Sequence, residues 1–245
     1  MPPLEPYKQM LDYTYALGLY PALEALTHAP GRVRRVLLST NLHDDQALHK
    51  LQALCEKHHI RTETADRLLR RVSGKENCFA AAVVTKEGDA PRANAPRHLV
   101  LHQPSDAGNA GTILRTALGF GFQDIAIIPP AVDIYDPRVI RASMGALFSL
   151  RIGFFNSMES YLARYPGRHL FLFMLEGAMP LAEAARSTDE NALSLVFGNE
   201  GSGLPPAFAG FGTAVRIEQG SAIDSLNLAV AAGIGMHAFR RIEGR

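Results

Sequence analysis

Apolar residues recur along this chain in two rhythms, and the change from one to the other marks its elements. Over Leu19–Leu26 and Asp44–His58 they return every three or four positions, with Leu48, Leu51, Leu54 and Cys55 on one side of the second stretch, which predicts amphipathic helices. Val33–Ser39, Ile60–Thr64 and Phe79–Thr85 are short apolar or β-branched runs and predict strands, while Ala65–Val72 predicts a further helix. The polar segment Ser73-Gly74-Lys75 that follows reads as a turn. Lys86–Arg97, KEGDAPRANAPR, breaks both rhythms with Pro, Gly, Ala and charge, as a linker does. A boundary there separates a small α/β domain, residues 1–94, from a larger one, residues 95–245.

In the larger part, continuous apolar runs alternate with helical spacing. Strands are predicted over Leu99–His102, Ile125–Ile128, Ile152–Phe155, Leu170–Leu175, Leu193–Phe197 and Ala214–Ile217. Helices are predicted over Asn109–Phe120, Pro137–Leu147, Met158–Tyr165 and Leu181–Ala185, with one more at the C-terminus. Strands without polar alternation, each followed by a helix, imply a parallel sheet covered on both faces, an α/β fold. Such sheets bind ligands beyond the carboxyl ends of their strands. The loops after His102, Phe197 and Ile217 are therefore the informative ones.

The stretch Ile217–Arg241 has a distinctive pattern. It leaves a strand, crosses a polar loop, and enters a helix expected to carry Ser225 and Asn227 in its first turn. From Leu226 to Phe239 that helix is apolar nearly all round, which predicts that protein surrounds it. Gly233 and Gly235 each cost about 1 kcal/mol relative to alanine, so a second backbone is expected to approach closely there.

Composition narrows the class. The 245 residues are 47% hydrophobic and 20% charged, enough to bury a sizeable core. No run of apolar residues is long enough to span a membrane, and no secretory signal opens the chain, so a cytoplasmic location is expected. Cys55 and Cys78 are isolated and the histidines lack ligand spacing, so no metal site is expected. Net charge is +1, but residues 1–97 hold 14 Lys and Arg against 11 Asp and Glu, and the remainder 11 against 13. The basic residues of the first part cluster as Arg32, Arg34, Arg35, then Lys57, Arg61, then Arg67, Arg70, Arg71, Lys75. Clusters of this kind grip nucleic-acid phosphates or form ordinary solvated faces.

Three loops carry chemistry. In Gly108–Phe122, GNAGTILRTALGFGF, the residues Asn109, Thr112, Arg115, Thr116 and Gly119 share one helix face about 120° wide. One arginine among hydroxyls and amides suits a cleft wall that holds phosphate or carboxylate in a bidentate fork, or else a solvated face. In Leu195–Leu204, LVFGNEGSGL, glycines surround Glu200 at a strand end, where backbone can approach a ligand closely or simply turn. The spacing matches neither the dinucleotide nor the P-loop pattern. In the third, Asp224 or Ser225 can cap the last helix, while Asn227 stands in otherwise apolar surroundings.

Taken jointly and in order, NAGTILRTALGFG, LVFGNEGSGL and IDSLNLAVAAG resemble the three motifs of the SpoU (TrmH-type) RNA ribose methyltransferases of the SPOUT superfamily, over about Leu99–Arg241. The pieces GLYPALEAL and SGKENCFAAAVV are similar to the small ribosomal-protein-like RNA-binding domain that precedes many SpoU domains. The resemblance implies a small N-terminal α/β RNA-binding domain followed by a knotted (trefoil) α/β methyltransferase domain with a parallel sheet. It also implies a homodimer with S-adenosylmethionine as methyl donor. By motif position, Asn109, Arg115, Glu200, Ser225 and Asn227 match the family's catalytic-site residues. Gly198, Gly203, Ile217, Leu226 and Asn227 match its cofactor-binding positions. Glu218 replaces the usual Pro, and Ser221 the usual Gly, which bears on the shape of that loop.

What the resemblance implies is S-adenosylmethionine-dependent methylation of a ribose 2′-hydroxyl in structured RNA, with ribosomal RNA ahead of tRNA. In that reaction Arg115 holds the neighbouring phosphate or acts on the proton of the hydroxyl. Two other readings stay open: an RNA-binding or ribosome-assembly protein of the same fold that has lost catalysis, and an ordinary nucleotide-binding α/β enzyme.

Overall fold

The computed structural model describes residues 4–43, 46–176, 179–187 and 192–240. Asp44, where the second helix was expected to begin, and Arg241, at the end of the last motif, lie outside the described residues. The chain forms two compact units: Met1–Glu87 with Asp133–Ser149, and Gly88–Val132 with Leu150–Arg245. The segment Asp133–Ser149 groups with the first unit, whereas the linker reading drew a single cut after residue 94. Linker composition marks where a chain is loose, but says nothing of a later segment that returns to an earlier one.

In the first unit run β1 (Tyr13–Leu17), α1 (Leu19–His28), β2 (Val33–Leu38), α2 (Gln46–Lys57), β3 (Thr62–Thr64), α3 (Asp66–Ser73) and β4 (Ala80–Thr85). The sheet order is β1-β4-β2-β3, with β4 antiparallel to both neighbours and β3 parallel to β2. The first strand, YTYAL, was not anticipated. Its burial is nearly complete, but Thr14 and the two tyrosines interrupt the apolar run that marks a buried strand. Leu37, Leu69, Ala81 and Val83 pack with Tyr13 and Tyr15 in its core.

In the second unit run β5 (Arg97–His102), α4 (Ala107–Gly119) and β6 (Asp124–Ile128). After α5 (Pro137–Ala142), which belongs to the first unit, come β7 (Arg151–Phe154), α6 (Met158–Arg164), β8 (His169–Phe173), β9 (Met179–Pro180), α7 (Leu181–Ser187), β10 (Leu193–Phe197), β11 (Thr213–Arg216) and α8 (Leu228–Phe239). The helix expected over Pro137–Leu147 stops at Ala142. Met144 and Gly145 take positive φ there, and a 3-10 turn follows over Ala146–Ser149. The sheet is parallel throughout, in the order β7-β6-β5-β10-β8-β11-β9. All strand ends of one polarity thus share one edge, where the loops after β5, β10 and β11 emerge. Strand β10 is buried at every position, as a central parallel strand must be.

Away from that edge, a buried polar network ties the strand beginnings together. The Arg168 guanidinium, 7% exposed, donates to Ser194 Oγ and to the carbonyls of Ala95 and Leu193. His98 shares hydrogen bonds with the Tyr161 hydroxyl and the Arg92 carbonyl, both at 2.9 Å. Burial, seconded by the nearby Arg168 charge, lowers the His98 pKa to about 4. Asp124 receives Arg151 through Nε and Nη2, both at 2.7 Å.

Helix α8 departs from expectation at both ends of the argument. It begins at Leu228, and Asn227 is its N-cap: Oδ1 accepts from the N–H groups of Ala229 and Val230. Ser225 precedes the helix, outside any regular element. The helix is not surrounded on all sides. Ala232, Met236 and Phe239 are buried, but Val230 is 50% exposed and Ile234 38%. Nor does backbone crowd its glycines. A Cβ on Gly235 would lie 2.6–2.9 Å from the rings of Phe173 and Phe197, which stack at 4.1 Å, while Gly233 has ordinary room. Among the described residues no helix is long and apolar enough to cross a membrane.

Candidate active site

The site is assembled at the strand-end edge of the parallel sheet. Just past β5, Gln103 adopts a left-handed conformation, φ 56, which for a non-glycine costs about 1–2 kcal/mol. Its carbonyl accepts from Asn199 Nδ2 at 2.8 Å, joining the loop after β5 to the loop after β10. Asp106 then caps α4 by accepting from the Asn109 N–H at 2.7 Å, which fixes Asn109 in the first turn of the helix.

Glu200 sits opposite that turn. One carboxylate oxygen accepts from the Ser105 N–H at 3.0 Å and the Ser105 hydroxyl at 2.7 Å. The other accepts from the Asp106 N–H at 3.1 Å and Asn109 Nδ2 at 3.3 Å. Burial pushes this carboxyl upward, but the Ser105 and Asp106 donors outweigh it and hold the pKa below the usual glutamate value. The carboxylate is held from both sides, and through Oε1 it holds Asn109 Nδ2 in turn. With the Asn109 Nδ2 directed at Glu200, Oδ1 is left to accept from Asn227 Nδ2 at 2.9 Å. Glu200, Asn109 and Asn227, one from each of the three sequence motifs, form one hydrogen-bonded chain.

Beside that chain lies a cleft of about 400 Å³, within the range for small-molecule sites. Phe173, Phe197, Val215, Leu228 and Ala231 give it apolar walls; Gly198, Glu200, Gly203, Gln219 and Ser225 bring polar groups to its rim. Gly198 is there because its own loop leaves no space: a Cβ would lie 2.2–2.4 Å from the backbone of Gly203 and Leu204. Gln219 Nε2 donates to the Asp224 carbonyl at 3.1 Å and, more weakly, to that of Ile223 at 3.4 Å. In this way the side chain ties together the loop that carries Glu218 and Ser221.

The nominated residues divide into two groups. Gly198, Glu200, Gly203, Ile217, Ser225 and Leu226 line the cleft. Asn109 and Asn227 stand at its side and are joined to it through Glu200. Arg115 lies six residues beyond Asn109, about 9 Å along the helix. It is exposed, makes no hydrogen bond or ion pair among the described residues, and does not line the cleft. Among the described residues no group of three or more His, Cys, Asp or Glu could hold a metal.

Two positioning residues escaped the sequence reading. Asn199 Oδ1 accepts from the N–H groups of Gly201 and Ser202 while its Nδ2 reaches Gln103, so it shapes the loop around Glu200. Ser105 supplies two of the donors to Glu200. An Asn followed by Glu-Gly at a strand end is a turn signal; Ser105 left none.

A parallel sheet whose end loops hold a ligand-sized cleft beside a fixed row of amides is the arrangement of an α/β protein with a ligand site beyond its strand ends. More narrowly, the profile of the SpoU rRNA Methylase family matches residues 96–237, and the chain belongs to that family. It is 38% identical over 133 residues to the 23S rRNA (adenosine(1067)-2′-O)-methyltransferase of Streptomyces laurentii, a match covering 53% of this chain and 48% of that one. The match thus spans about half the length of that relative. Among solved structures, the SpoU methyltransferase AviRb from Streptomyces viridochromogenes, in complex with the cofactor AdoMet, superposes with a TM-score of 0.77. It is 25% identical and the match covers 96% of this chain and 92% of that one. A structure concerned with the 2-OH methylation of C/U34 on tRNA gives a TM-score of 0.54 at 31% identity, covering 58% of this chain and 93% of that one.

Proposed function

We propose that this protein methylates a ribose 2′-hydroxyl of structured RNA, ribosomal RNA in the first place, with S-adenosylmethionine as donor. The observation that carries the reading is the Glu200–Asn109–Asn227 chain beside the cleft, in a member of the SpoU rRNA Methylase family. The cleft suits the donor: aromatic and aliphatic walls for an adenosine, polar groups at the rim for its ribose and amino-acid ends. Gly198, Gly203, Ile217 and Leu226 would hold it. S-adenosylmethionine, when bound, would supply a methyl group on a positively charged sulfur. As the oxygen–carbon bond forms, the carbon–sulfur bond breaks to leave a neutral thioether and the hydroxyl proton passes to solvent water.

The chain's own residues do the positioning. A ribose hydroxyl is a weak nucleophile, and holding it in line can supply about 7–11 kcal/mol. Asn109 and Asn227 are locked in one amide orientation by Glu200 and by the helix cap, so their polar groups are fixed before RNA arrives. Glu200 acts as a positioning residue. Arg115, whose guanidinium cannot accept a proton in its ordinary state, clamps the phosphate beside the target ribose and stabilises negative charge as it develops on the oxygen. Ser225, at the rim of the cleft, donates its hydroxyl to the target ribose or to S-adenosylmethionine.

Two chains pair through α4 and α8, and the C-terminal segment is threaded as a trefoil knot. The exposed Val230 and Ile234 beside α4 support the first. For the second, β11 stands between β8 and β9 while α8 returns onto α4 and β10. Ribosomal RNA is preferred because the matching family is the SpoU rRNA Methylase family and a 23S rRNA 2′-O-methyltransferase is 38% identical over 133 residues, whereas the tRNA-related structure covers only 58% of this chain. Mapping 2′-O-methyl marks in total RNA with and without the protein tests the reading: loss of one mark in ribosomal RNA is expected, and a mark lost from tRNA redirects it. An unchanged map, with no heat of S-adenosylmethionine binding, leaves an RNA-binding protein of the same fold.

A further inference from the structure

The first part of the chain offers three basic clusters, and the structure separates them. Arg32 donates to the Thr85 carbonyl through Nε and Nη2. Arg34 pairs with Asp12 at 2.7 Å, and Arg35 with Glu63 at 3.1 Å, only 13% of its side chain exposed. That cluster is committed to the unit's own fold and is not a phosphate grip. Helix α3 differs. Arg67, Arg70 and Arg71 stand at i, i+3 and i+4, on one face. All three are exposed, while Leu69 and Val72 are buried on the other side.

The helix ends at Gly74, left-handed at φ 63, with its N–H on the Arg70 carbonyl. Ser73 Oγ then accepts from the Lys75 N–H at 3.1 Å and donates to the Lys75 carbonyl at 2.9 Å, so exposed Lys75 continues the same cluster from an ordered turn. None of these four cations forms an ion pair among the described residues. The acid of the helix, Asp66, is occupied by the Ser39 hydroxyl and by the Thr40 hydroxyl and N–H, and Glu63 is taken by Arg35.

A helix dipole favours cations in the last turn, which accounts for Arg70 and Arg71. It disfavours Arg67, the second residue of the helix, at the positive end. Asp66 feels the Arg70 charge and Glu76 adjoins Lys75, but neither forms an ion pair with these cations among the described residues. Three exposed guanidinium groups on one face repel one another, and a polyanion relieves that repulsion.

We propose that the Arg67, Arg70, Arg71 and Lys75 face is the surface of the first unit that docks RNA, gripping backbone phosphates without reading bases. The proposal rests on the RNA-methylating reading and names the place where that RNA is held. Each phosphate contact adds about one unit to the slope of log affinity against log salt.

The test uses the full chain and purified ribosomal RNA, with binding measured by fluorescence anisotropy across a salt series. Two triple variants are compared with the unaltered protein: Arg67→Gln/Arg70→Gln/Arg71→Gln, and the same positions changed to Lys. The glutamine variant should lose two to three units of slope and at least tenfold in affinity at low salt. The lysine variant should keep the slope. Calorimetric S-adenosylmethionine binding should be unchanged in both. A slope unaltered by glutamine, with S-adenosylmethionine bound normally, overturns the surface but leaves the methyltransferase reading standing. Failure of the unaltered protein to bind RNA overturns both. Glutamine-sensitive binding to phosphatidylserine vesicles, with RNA affinity unaffected, assigns the face to a membrane and overturns the proposal.

Discussion

Asn227 Nδ2 donates to Asn109 Oδ1 at 2.9 Å across 118 residues of chain, and each amide is oriented by its other contact. Glu200 holds the Asn109 Nδ2, and the first turn of α8 holds the Asn227 Oδ1. Replacing Asn227 by Asp separates the two roles. Asp caps a helix as well as Asn does, so the urea midpoint should hardly move, yet the donor to Asn109 is lost. Methyl transfer should fall at least about tenfold, since small misplacements at a reacting centre are costly. Asn227→Ala should also lose about 1 kcal/mol of stability. Equal activity of Asn227→Asp and unaltered protein would remove this pair from the site's function.

Arg115→Ala should fold normally and bind S-adenosylmethionine with unchanged affinity, because Arg115 neither lines the cleft nor pairs with a described residue. Turnover on RNA should drop by about 10² or more, the usual loss when one charge-stabilising donor is removed. Single-turnover methylation with a radiolabelled donor measures it, and near-normal rates would exclude Arg115 from the mechanism.

The Gln219 side chain ties the loop at the cleft rim by bonds to the Asp224 and Ile223 carbonyls. Loss of about 1 kcal/mol of hydrogen bonding in Gln219→Ala should weaken S-adenosylmethionine binding about fivefold. Calorimetry reads this directly. An unchanged dissociation constant would mean that the loop holds its shape without the tie.

His98 predicts how stability responds to acid. Its folded pKa, about 4, lies below the ordinary histidine value of 6.5. The folded state therefore favours the neutral ring. The stability this contributes is complete above pH 6.5 and fades as pH falls toward 4, by up to about 3 kcal/mol. Urea unfolding at pH 7, 5.5 and 4 should show the decline, and His98→Gln should flatten it. The same slope in the variant would place the acid sensitivity elsewhere, Asp124 being the next group to examine.

Val230→Asp with Ile234→Asp puts charge on the apolar face that α8 leaves open. If that face joins two chains, light scattering should find a dimer for the unaltered protein and a monomer for the variant. Identical masses for both would mean the face is not the interface.

The strands of the second unit were legible because a central parallel strand has no exposed side, so its run of apolar residues is unbroken. The three motifs were legible for a related reason: Asn109, Glu200 and Asn227 stand among residues that packing alone would not choose. Other features left no mark in composition. Strand β1 is buried, but Thr14 and two tyrosines break its apolar run, β9 is two residues long, and α5 belongs with the first unit although it follows β6. Arg34 and Arg67 read alike as letters, yet one is paired with Asp12 and the other forms no ion pair among the described residues.

Local chemistry thus determined the class of fold and the identity of the polar residues, because periodicity and unusual residue choice are properties of neighbours in sequence. Only the tertiary structure decided that Glu200 accepts from Ser105, Asp106 and Asn109, that Asn227 and not Ser225 caps the last helix, and which cations are paired among the described residues. The Glu200 bonds and the paired cations depend on partners 22 to 95 residues away, and the cap depends on the φ and ψ of Asn227 itself; neither distance nor torsion is written in the order of the side chains.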